Sequence, residues 1–182
     1  MLFSILHVSG QFLSIENCDC PFDIAKVEAD TVWCGKLKVP ENRNIKNGRV
    51  LEIAFAVISP ENAKPEPIVL MPGGPGIAPV ANRFLSIMHG VMPTDRTFIV
   101  FDPRGTGLSD PAMCREQRTA RAIISSMNLT QEEERIMYKG AMLACRSALV
   151  NGGIDITQYN AVTIAQDVYD LMNALGYNRW NI

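Results

Sequence analysis

The chain has 182 residues, of which 47% are hydrophobic and 20% are charged, and its formal net charge is −2. This balance is typical of a folded domain and excludes a disordered chain. The small net charge gives no electrostatic footprint for nucleic acid or an anionic membrane, and no apolar run is long enough to span a bilayer.

Residues 1–19 are interpreted as an N-terminal segment that precedes a domain at 20–182. Residues 1–13 are mostly apolar, but no Lys or Arg precedes the apolar run and Gln11 interrupts it. The segment is a poor signal peptide as it stands. Two interpretations stay open: the remnant of a signal peptide whose start is missing, and a disordered or packed N-terminus.

The cysteines lie away from both histidines in the sequence, which argues against a zinc site. Two local pairings fit their positions, Cys20 with Cys34 and Cys114 with Cys145, and Cys18 is left over. Buried free thiols in a cytosolic protein are an equally open alternative, because disulfides persist only in an oxidising compartment.

Two strands joined by a hairpin are predicted at 31–40 and 50–58. The first is rich in β-branched residues and ends at Pro40. The dipeptide Asn47-Gly48 between them is a turn signal of hairpins. The alternating apolar residues of the second strand, which we expect on one face, are Leu51, Ile53, Phe55 and Val57.

A third strand is predicted from Ile68 to Met71, and the glycine-rich run Pro72-Gly73-Gly74-Pro75-Gly76 follows it. Glycine permits positive φ and a close approach of the backbone to a bound group, and proline prevents the strand from continuing. A loop of this kind can direct backbone N–H groups at a developing negative charge. We therefore interpret it as half of an oxyanion hole.

A helix predicted from Ala78 to His89 connects this loop to a fourth strand, Thr97 to Phe101. The uninterrupted apolar character of the fourth strand suits a strand buried on both faces of a parallel sheet. A strand, a helix and a second buried strand form a βαβ unit, so the sheet is expected to be at least partly parallel.

Two further helices are predicted from capping boxes. Thr130 begins a helix that runs toward Gly152, and Thr163 begins a helix that ends at Gly176. Residues 179–182 are expected to begin another strand.

The sequence lacks the elements of a catalytic triad. No Gly-x-Ser-x-Gly occurs, so there is no nucleophile elbow. His7 and His89 belong to no acid–base constellation and are interpreted as surface or packed residues. Ser109 is interpreted as a turn or cap residue. The chain by itself is therefore not expected to perform triad catalysis.

Four short motifs occur in a characteristic order: Val39-Pro40-Glu41-Asn42-Arg43, Pro72-Gly73-Gly74-Pro75-Gly76, Asp102-Pro103-Arg104-Gly105-Thr106-Gly107-Leu108-Ser109 and Ala174-Leu175-Gly176-Tyr177. Over residues 20–182 this order resembles the α/β-hydrolase fold, and within it the proline iminopeptidase-like serine peptidases. Proline iminopeptidases usually carry His where this chain has Pro72. The secreted tripeptidyl aminopeptidase branch is similar to this sequence in having proline there.

The resemblance implies the N-terminal part of an α/β-hydrolase fold, with a mixed, mostly parallel sheet and flanking helices, ending within the strand before the nucleophile elbow. It implies acyl transfer on a peptide substrate by a longer protein, with no cofactor and no metal. The oxyanion donor would be the backbone N–H of Gly74, with Gly73 as second choice. The residues expected to brace the loop after the fourth strand are Asp102, Arg104 and Gly105.

The resemblance also implies that the Cys20–Cys34 and Cys114–Cys145 pairings form, and hence a secreted or periplasmic protein. The alternative is a non-catalytic remnant of the fold that acts as a binding or interaction module. Cooperative unfolding of the 182-residue chain would favour the alternative, because a chain that ends inside a parallel sheet leaves an apolar edge unpaired.

Overall fold

A single sheet runs through the computed structural model, which describes residues 6–8, 11–27, 29–73, 76–81 and 95–182. The strands are β1 (Leu6–Val8), β2 (Gln11–Cys18), β3 (Thr31–Pro40), β4 (Val50–Ser59), β5 (Lys64–Val69) and β6 (Arg96–Phe101). Their order across the sheet is β1-β2-β3-β4-β6-β5.

The sheet is mostly antiparallel. The pairs β1–β2, β2–β3, β3–β4 and β4–β6 are antiparallel, and among the described strands only β5 and β6 pair in parallel. The prediction of a mostly parallel α/β-hydrolase sheet is therefore wrong. Short connections join β1 to β2 and β3 to β4 and reverse the chain, whereas residues 70–95 are long enough for the crossover that a parallel pair needs.

The predicted hairpin is confirmed. β3 and β4 pair from Thr31↔Ser59 to Pro40↔Val50, and Asn47 in the connecting loop has a φ of 55°. The four alternating apolar residues of β4 lie together in one buried cluster. β2 was not predicted as a strand, and its pairing with β3 brings residues 14–18 of the N-terminal segment into the sheet.

Near the end of the chain, Asn181 forms an isolated parallel bridge with Ile68. Val69 N donates to Asn181 O over 3.0 Å, and Asn181 N donates to Pro67 O over 2.9 Å. β5 therefore has hydrogen-bonding partners on both sides at this point, β6 on one side and Asn181 on the other.

The described helices are α1 (Arg115–Ser126), α2 (Gln131–Asn151) and α3 (Ala161–Ala174), with 3-10 turns at Ile24–Lys26 and Ile156–Gln158. α2 begins at the predicted capping box of Thr130 and Glu133. α3 begins earlier than predicted, because Asn160 is the cap and Thr163 is its reciprocal partner. Most of the helix predicted at 78–89 lies outside the described residues. Of its described part, residues 79–81 form a turn.

Buried apolar residues form two clusters. The larger cluster packs the inner side of α3 against the sheet and includes Leu37, Ile53, Phe55, Phe101, Val168, Leu171 and Met172. The second cluster includes Phe22, Val27, Cys34, Ile58, Val80, Phe98 and Val100. α2 contributes no buried residue to either. No helix within the described ranges has the length and apolarity to cross a membrane.

Both cysteine pairings are present as disulfides. The Cα atoms of Cys20 and Cys34 are 5.2 Å apart, and those of Cys114 and Cys145 are 5.7 Å apart. The first disulfide ties the segment after β2 to β3, and the second ties the start of α1 to α2. Cys18 is an exposed free thiol. The two disulfides are compatible with an oxidising compartment.

Candidate functional site

The glycine-rich loop leaves the sheet at the carboxyl end of β5. Leu70 N donates to Ile99 O of β6 over 2.8 Å, which fixes where the loop begins. Gly73 is exposed, and a Cβ placed on it would meet no described neighbour within 4 Å. Gly76 has a φ of 92°, a conformation that favours glycine. Gly74, the first-choice oxyanion donor, lies outside the described residues.

A buried carboxylate joins this loop to the loop that follows β6. Asp102 Oδ1 accepts the N–H of Val80 over 2.8 Å. Asp102 Oδ2 accepts the N–H groups of Ala81 over 3.2 Å and of Leu108 over 3.0 Å. We call these three hydrogen bonds the Asp102 clasp. The clasp holds residues 80–81 beside residues 102–108, with one side-chain carboxylate as acceptor and three main-chain N–H groups as donors.

Burial and hydrogen bonding act in opposite directions on the Asp102 carboxyl. Its side chain is shielded from solvent, and this burial raises its pKa above the ordinary value. The three N–H donors lower the pKa, by less than burial raises it. The carboxylate is stabilised by directed donors in a site that water does not reach.

Gly107 lets the main chain pass close to the Asp102 carboxylate. Its φ is 53°, and a Cβ there would overlap Asp102 Oδ2 and lie 2.5 Å from the Cβ of Ala78. An L-residue would therefore be strained by its backbone conformation and would collide with the clasp. This explains the glycine that follows Thr106 in the motif.

Ser109 has a structural hydrogen-bonding role. Its hydroxyl donates to Asp102 O over 2.6 Å and accepts the N–H of Ala54 over 2.8 Å. The residue is 2% exposed. The first contact lies within the loop after β6 and the second reaches the main chain of β4, so the hydroxyl fastens this loop to β4.

Arg104 extends from the same loop into a fully buried position. Its Nε donates to Asp167 Oδ2 over 2.7 Å and its Nη2 donates to Asp167 Oδ1 over 2.6 Å. Its Nη1 donates to the carbonyl oxygens of Glu41 over 2.8 Å and of Gln158 over 3.1 Å. One guanidinium thereby ties together the loop after β6, the β3–β4 loop, the middle of α3 and the 3-10 turn before α3.

Gly105 follows Arg104 with a φ of 77°. A Cβ there would lie 2.8 Å from Met113 Sδ and 3.2 Å from Tyr159 Cδ1. The glycine is therefore needed both for its backbone conformation and for the space that these two side chains occupy.

Sequence reasoning missed the partners that complete this network. Arg43 Nη2 donates to Asp167 Oδ1 over 2.7 Å and to Asp170 Oδ2 over 2.6 Å. Tyr159 Oη donates to Glu41 Oε1 over 2.6 Å, and burial together with this acceptor raises the pKa of Tyr159. The sequence held one signal for Asp167, which lies four residues from Leu171 on the apolar stripe of α3.

The interpretation of the two histidines as surface or packed residues stays a prediction. His7 lies in β1, away in sequence from both loops, and His89 falls outside the described residues. Within the described ranges, no group of three or more His, Cys, Asp or Glu side chains could hold a metal ion. In the described part of the site, Asp102 joins the chain after the glycine-rich loop to the loop after β6, and Arg104 ties the loop after β6 to α3.

Comparisons with known proteins do not assign the chain to a family. No protein-family model matches it, and no curated protein shows significant similarity to it.

Proposed function

We propose that this chain supplies the oxyanion-binding loop of a serine hydrolase that resembles the proline iminopeptidase-like peptidases. The observation that carries the proposal is the Asp102 clasp. It anchors the chain that follows the glycine-rich loop onto the neighbouring loop after β6, at the carboxyl ends of the parallel pair. Ligand sites in sheets with parallel strands commonly lie outside those ends.

Acyl transfer is accelerated by a backbone N–H that is already fixed in place before the reaction begins. A donor held in place costs no reorganisation when negative charge develops on the substrate carbonyl, and one such donor contributes on the order of 3 kcal/mol to the transition state. In this proposal Gly74, or else Gly73, presents that N–H. The Asp102 clasp holds the chain that follows this loop against the loop after β6, and the Arg104–Asp167 pair ties the loop after β6 to α3.

The nucleophile, base and acid are proposed to come from outside these 182 residues, because the sequence contains no Gly-x-Ser-x-Gly. The serine would attack the scissile carbonyl of a peptide, and the N–H after the serine would be the second oxyanion donor. The chain alone is expected to be inactive. The two disulfides support a secreted or periplasmic site of action.

The test uses the protein as the cell makes it. An affinity tag is placed at the N-terminal side of the chromosomal gene, downstream of any cleaved leader. The captured product is sized and then treated with a fluorescent fluorophosphonate, which labels activated serines. We expect a labelled species larger than the 20.1 kDa of this chain, with aminopeptidase activity that the label abolishes. A captured product of 20.1 kDa that takes no label would refute the proposal.

A second candidate function is a non-catalytic binding module that retains the N-terminal elements of a hydrolase. It is favoured by the buried Arg104–Asp167 pair and by the two apolar clusters found among the described residues of this chain. This candidate predicts that the 182-residue product unfolds in one cooperative transition. A broad, non-cooperative transition would remove it.

A further inference from the structure

Three cysteines meet where β2 and β3 run side by side. Cys34 of β3 is bonded to Cys20, which lies just after β2. Cys18 is the last residue of β2 and lies directly opposite Cys34 in the antiparallel register. Cys18 is an exposed free thiol, whereas Cys34 is 2% exposed.

Cys34 has two possible partners at disulfide distance. Opposite residues of an antiparallel pair have Cα atoms about 4.5 to 5.5 Å apart and side chains on the same face. Disulfides span Cα separations of about 4.4 to 6.8 Å. The Cα separation of Cys20 and Cys34, 5.2 Å, falls in the same range. A bond from Cys34 to either cysteine therefore requires little movement of the backbone.

We propose that Cys18 exchanges with the Cys20–Cys34 disulfide and so releases the segment that follows β2. The Cys18 thiol loses its proton, and the thiolate Sγ attacks Cys34 Sγ. A Cys18–Cys34 bond forms as the Cys34–Cys20 bond breaks. The electron pair of the broken bond leaves on Cys20 Sγ, which takes up a proton. One disulfide and one thiol are present before and after, so no oxidant or reductant is consumed.

The exchange loosens the segment after β2, which covers the second apolar cluster. Phe22 and Val27, each 7% exposed, pack from the segment after β2 onto the cluster that contains Cys34. The Cys20 disulfide holds one end of this segment. At the other end, Asp30 Oδ2 accepts the N–H of Glu61 over 2.7 Å. After exchange the Cys20 anchor is lost, so the residues between Cys18 and Asp30 are held only where they leave β2 and at Asp30, and Phe22 is free to leave the cluster.

The surroundings of Cys18 set the pH at which exchange becomes fast. Burial raises the pKa of the Cys18 thiol, Lys36 opposes this shift, and Asp19 and Glu52 add to it. The thiol is therefore mostly protonated at neutral pH. Because the thiolate is the attacking species, exchange is expected to accelerate as the pH rises toward the pKa of Cys18.

Peptide mapping tests the proposal on the full oxidised chain. The protein is held at neutral or alkaline pH, quenched with acid, alkylated with N-ethylmaleimide and cut with a protease that cleaves before Asp. Cleavage before Asp19 and Asp23 separates Cys18 from Cys20 and releases residues 19–22 as one peptide. We expect alkylated 19–22 to accumulate at alkaline pH, together with a crosslink between the Cys18 and Cys34 peptides.

A matched variant isolates the attacking thiol. In Cys18→Ser the 19–22 peptide should stay crosslinked to the Cys34 peptide at every pH. Exclusive alkylation of Cys18 in the unsubstituted protein, with 19–22 crosslinked throughout, would overturn the proposal. So would equal release of 19–22 in Cys18→Ser, because another thiol or hydroxide would then be the attacking group.

A second variant tests the geometry independently of rate. In Cys20→Ser, mild oxidation should join Cys18 to Cys34, and trypsin should then cut at Lys26 severalfold faster than in the unsubstituted protein. The far-UV circular dichroism spectrum shows whether this variant keeps its sheet. A folded Cys20→Ser protein in which Cys18 and Cys34 both stay reduced would contradict the proposal that Cys18 can form a disulfide with Cys34.

Discussion

Arg104 and Asp167 form a two-point ion pair across 63 residues of sequence, with Nε–Oδ2 and Nη2–Oδ1 distances of 2.7 and 2.6 Å. Their side chains are 0% and 1% exposed. A buried pair of this kind is not strongly favourable in itself, because both ions lose their hydration. Its importance lies in the cost of removing one partner, and this cost can be measured.

The substitution Arg104→Met should therefore destabilise the protein strongly. It leaves the Asp167 carboxylate buried with fewer hydrogen-bond donors and removes the Arg104 donor of the Glu41 carbonyl oxygen. We therefore expect a loss of about 3–5 kcal/mol in the free energy of unfolding. Urea titration followed by circular dichroism measures it. The control is Arg135→Met, which removes an exposed pair with Glu132 and should leave the midpoint unchanged. Similar effects of the two substitutions would contradict the assigned role of Arg104.

The substitution Asp102→Asn should weaken the Asp102 clasp while keeping the size of the side chain. An amide offers one acceptor oxygen where the carboxylate offers two, and its NH₂ group would face a main-chain N–H. We expect a loss of about 1–3 kcal/mol in the free energy of unfolding. Asp30→Asn is the matched control, since Asp30 also accepts a backbone N–H but is exposed, and it should cost no more than about 0.5 kcal/mol.

The cost of Asp102→Asn should also depend on pH. Burial raises the pKa of Asp102 in the folded state, so the native protein binds this proton more readily than the unfolded chain does. The stabilisation by Asp102 is then fully present below the unfolded pKa of about 3.9 and declines as the pH rises through the folded pKa. The difference between the two proteins should be larger near pH 4 than near pH 7. A difference that grows with pH would show that the N–H donors outweigh burial.

Two glycine substitutions should have opposite signs. Gly107→Ala forces a side chain into a positive-φ position against the Asp102 clasp, and we expect a loss of at least about 2 kcal/mol. Gly140→Ala lies in the exposed interior of α2, where a Cβ meets nothing within 4 Å, and should stabilise by about 0.5–1 kcal/mol. Thermal melts compare the two. A neutral Gly107→Ala would mean that the two loops are not packed as described.

The α1–α2 hairpin should depend on its disulfide. α2 buries no side chain, and a disulfide that closes a segment of this length contributes about 3–4 kcal/mol. Replacing Cys114 and Cys145 together with serine should remove hydrogen-exchange protection from both helices while the amides of β4 stay protected. The control is Cys18→Ser, which should leave the exchange pattern of the helices unchanged. Uniform loss of protection across the chain would show that the hairpin and the sheet unfold as one unit.

Local sequence patterns predicted the elements whose stability is local. The alternation in β4 and the Asn47-Gly48 turn gave the β3–β4 hairpin, because one buried face and one turn fix both strands. The Thr130 capping box gave the start of α2 for a similar reason. The start of α3 was misplaced, because Asn160 and Thr163 can each serve as a cap and the sequence does not rank them.

Patterns that depend on distant partners were not predictable in the same way. The parallel pairing of β5 and β6 is as predicted, but extending parallel pairing to the whole sheet was wrong. For β1–β2 and β3–β4, the short connections make the pairs antiparallel. The loop of Asp102 was identified from its motif. Its main-chain donors at Val80 and Ala81 could not be predicted, because no sequence pattern links them to Asp102. Asp167 was missed because nothing local links it to Arg104.

The Asp102 clasp also bears on which sequence changes the two loops tolerate. Its donors at residues 80, 81 and 108 are main-chain N–H groups, so the contact places no demand on the side chains there. Leu108 is 41% exposed, and almost any residue at this position would keep the bond, whereas proline has no N–H to donate. In a saturation library selected for folding, position 108 should accept most substitutions and reject proline, while position 102 should accept almost none.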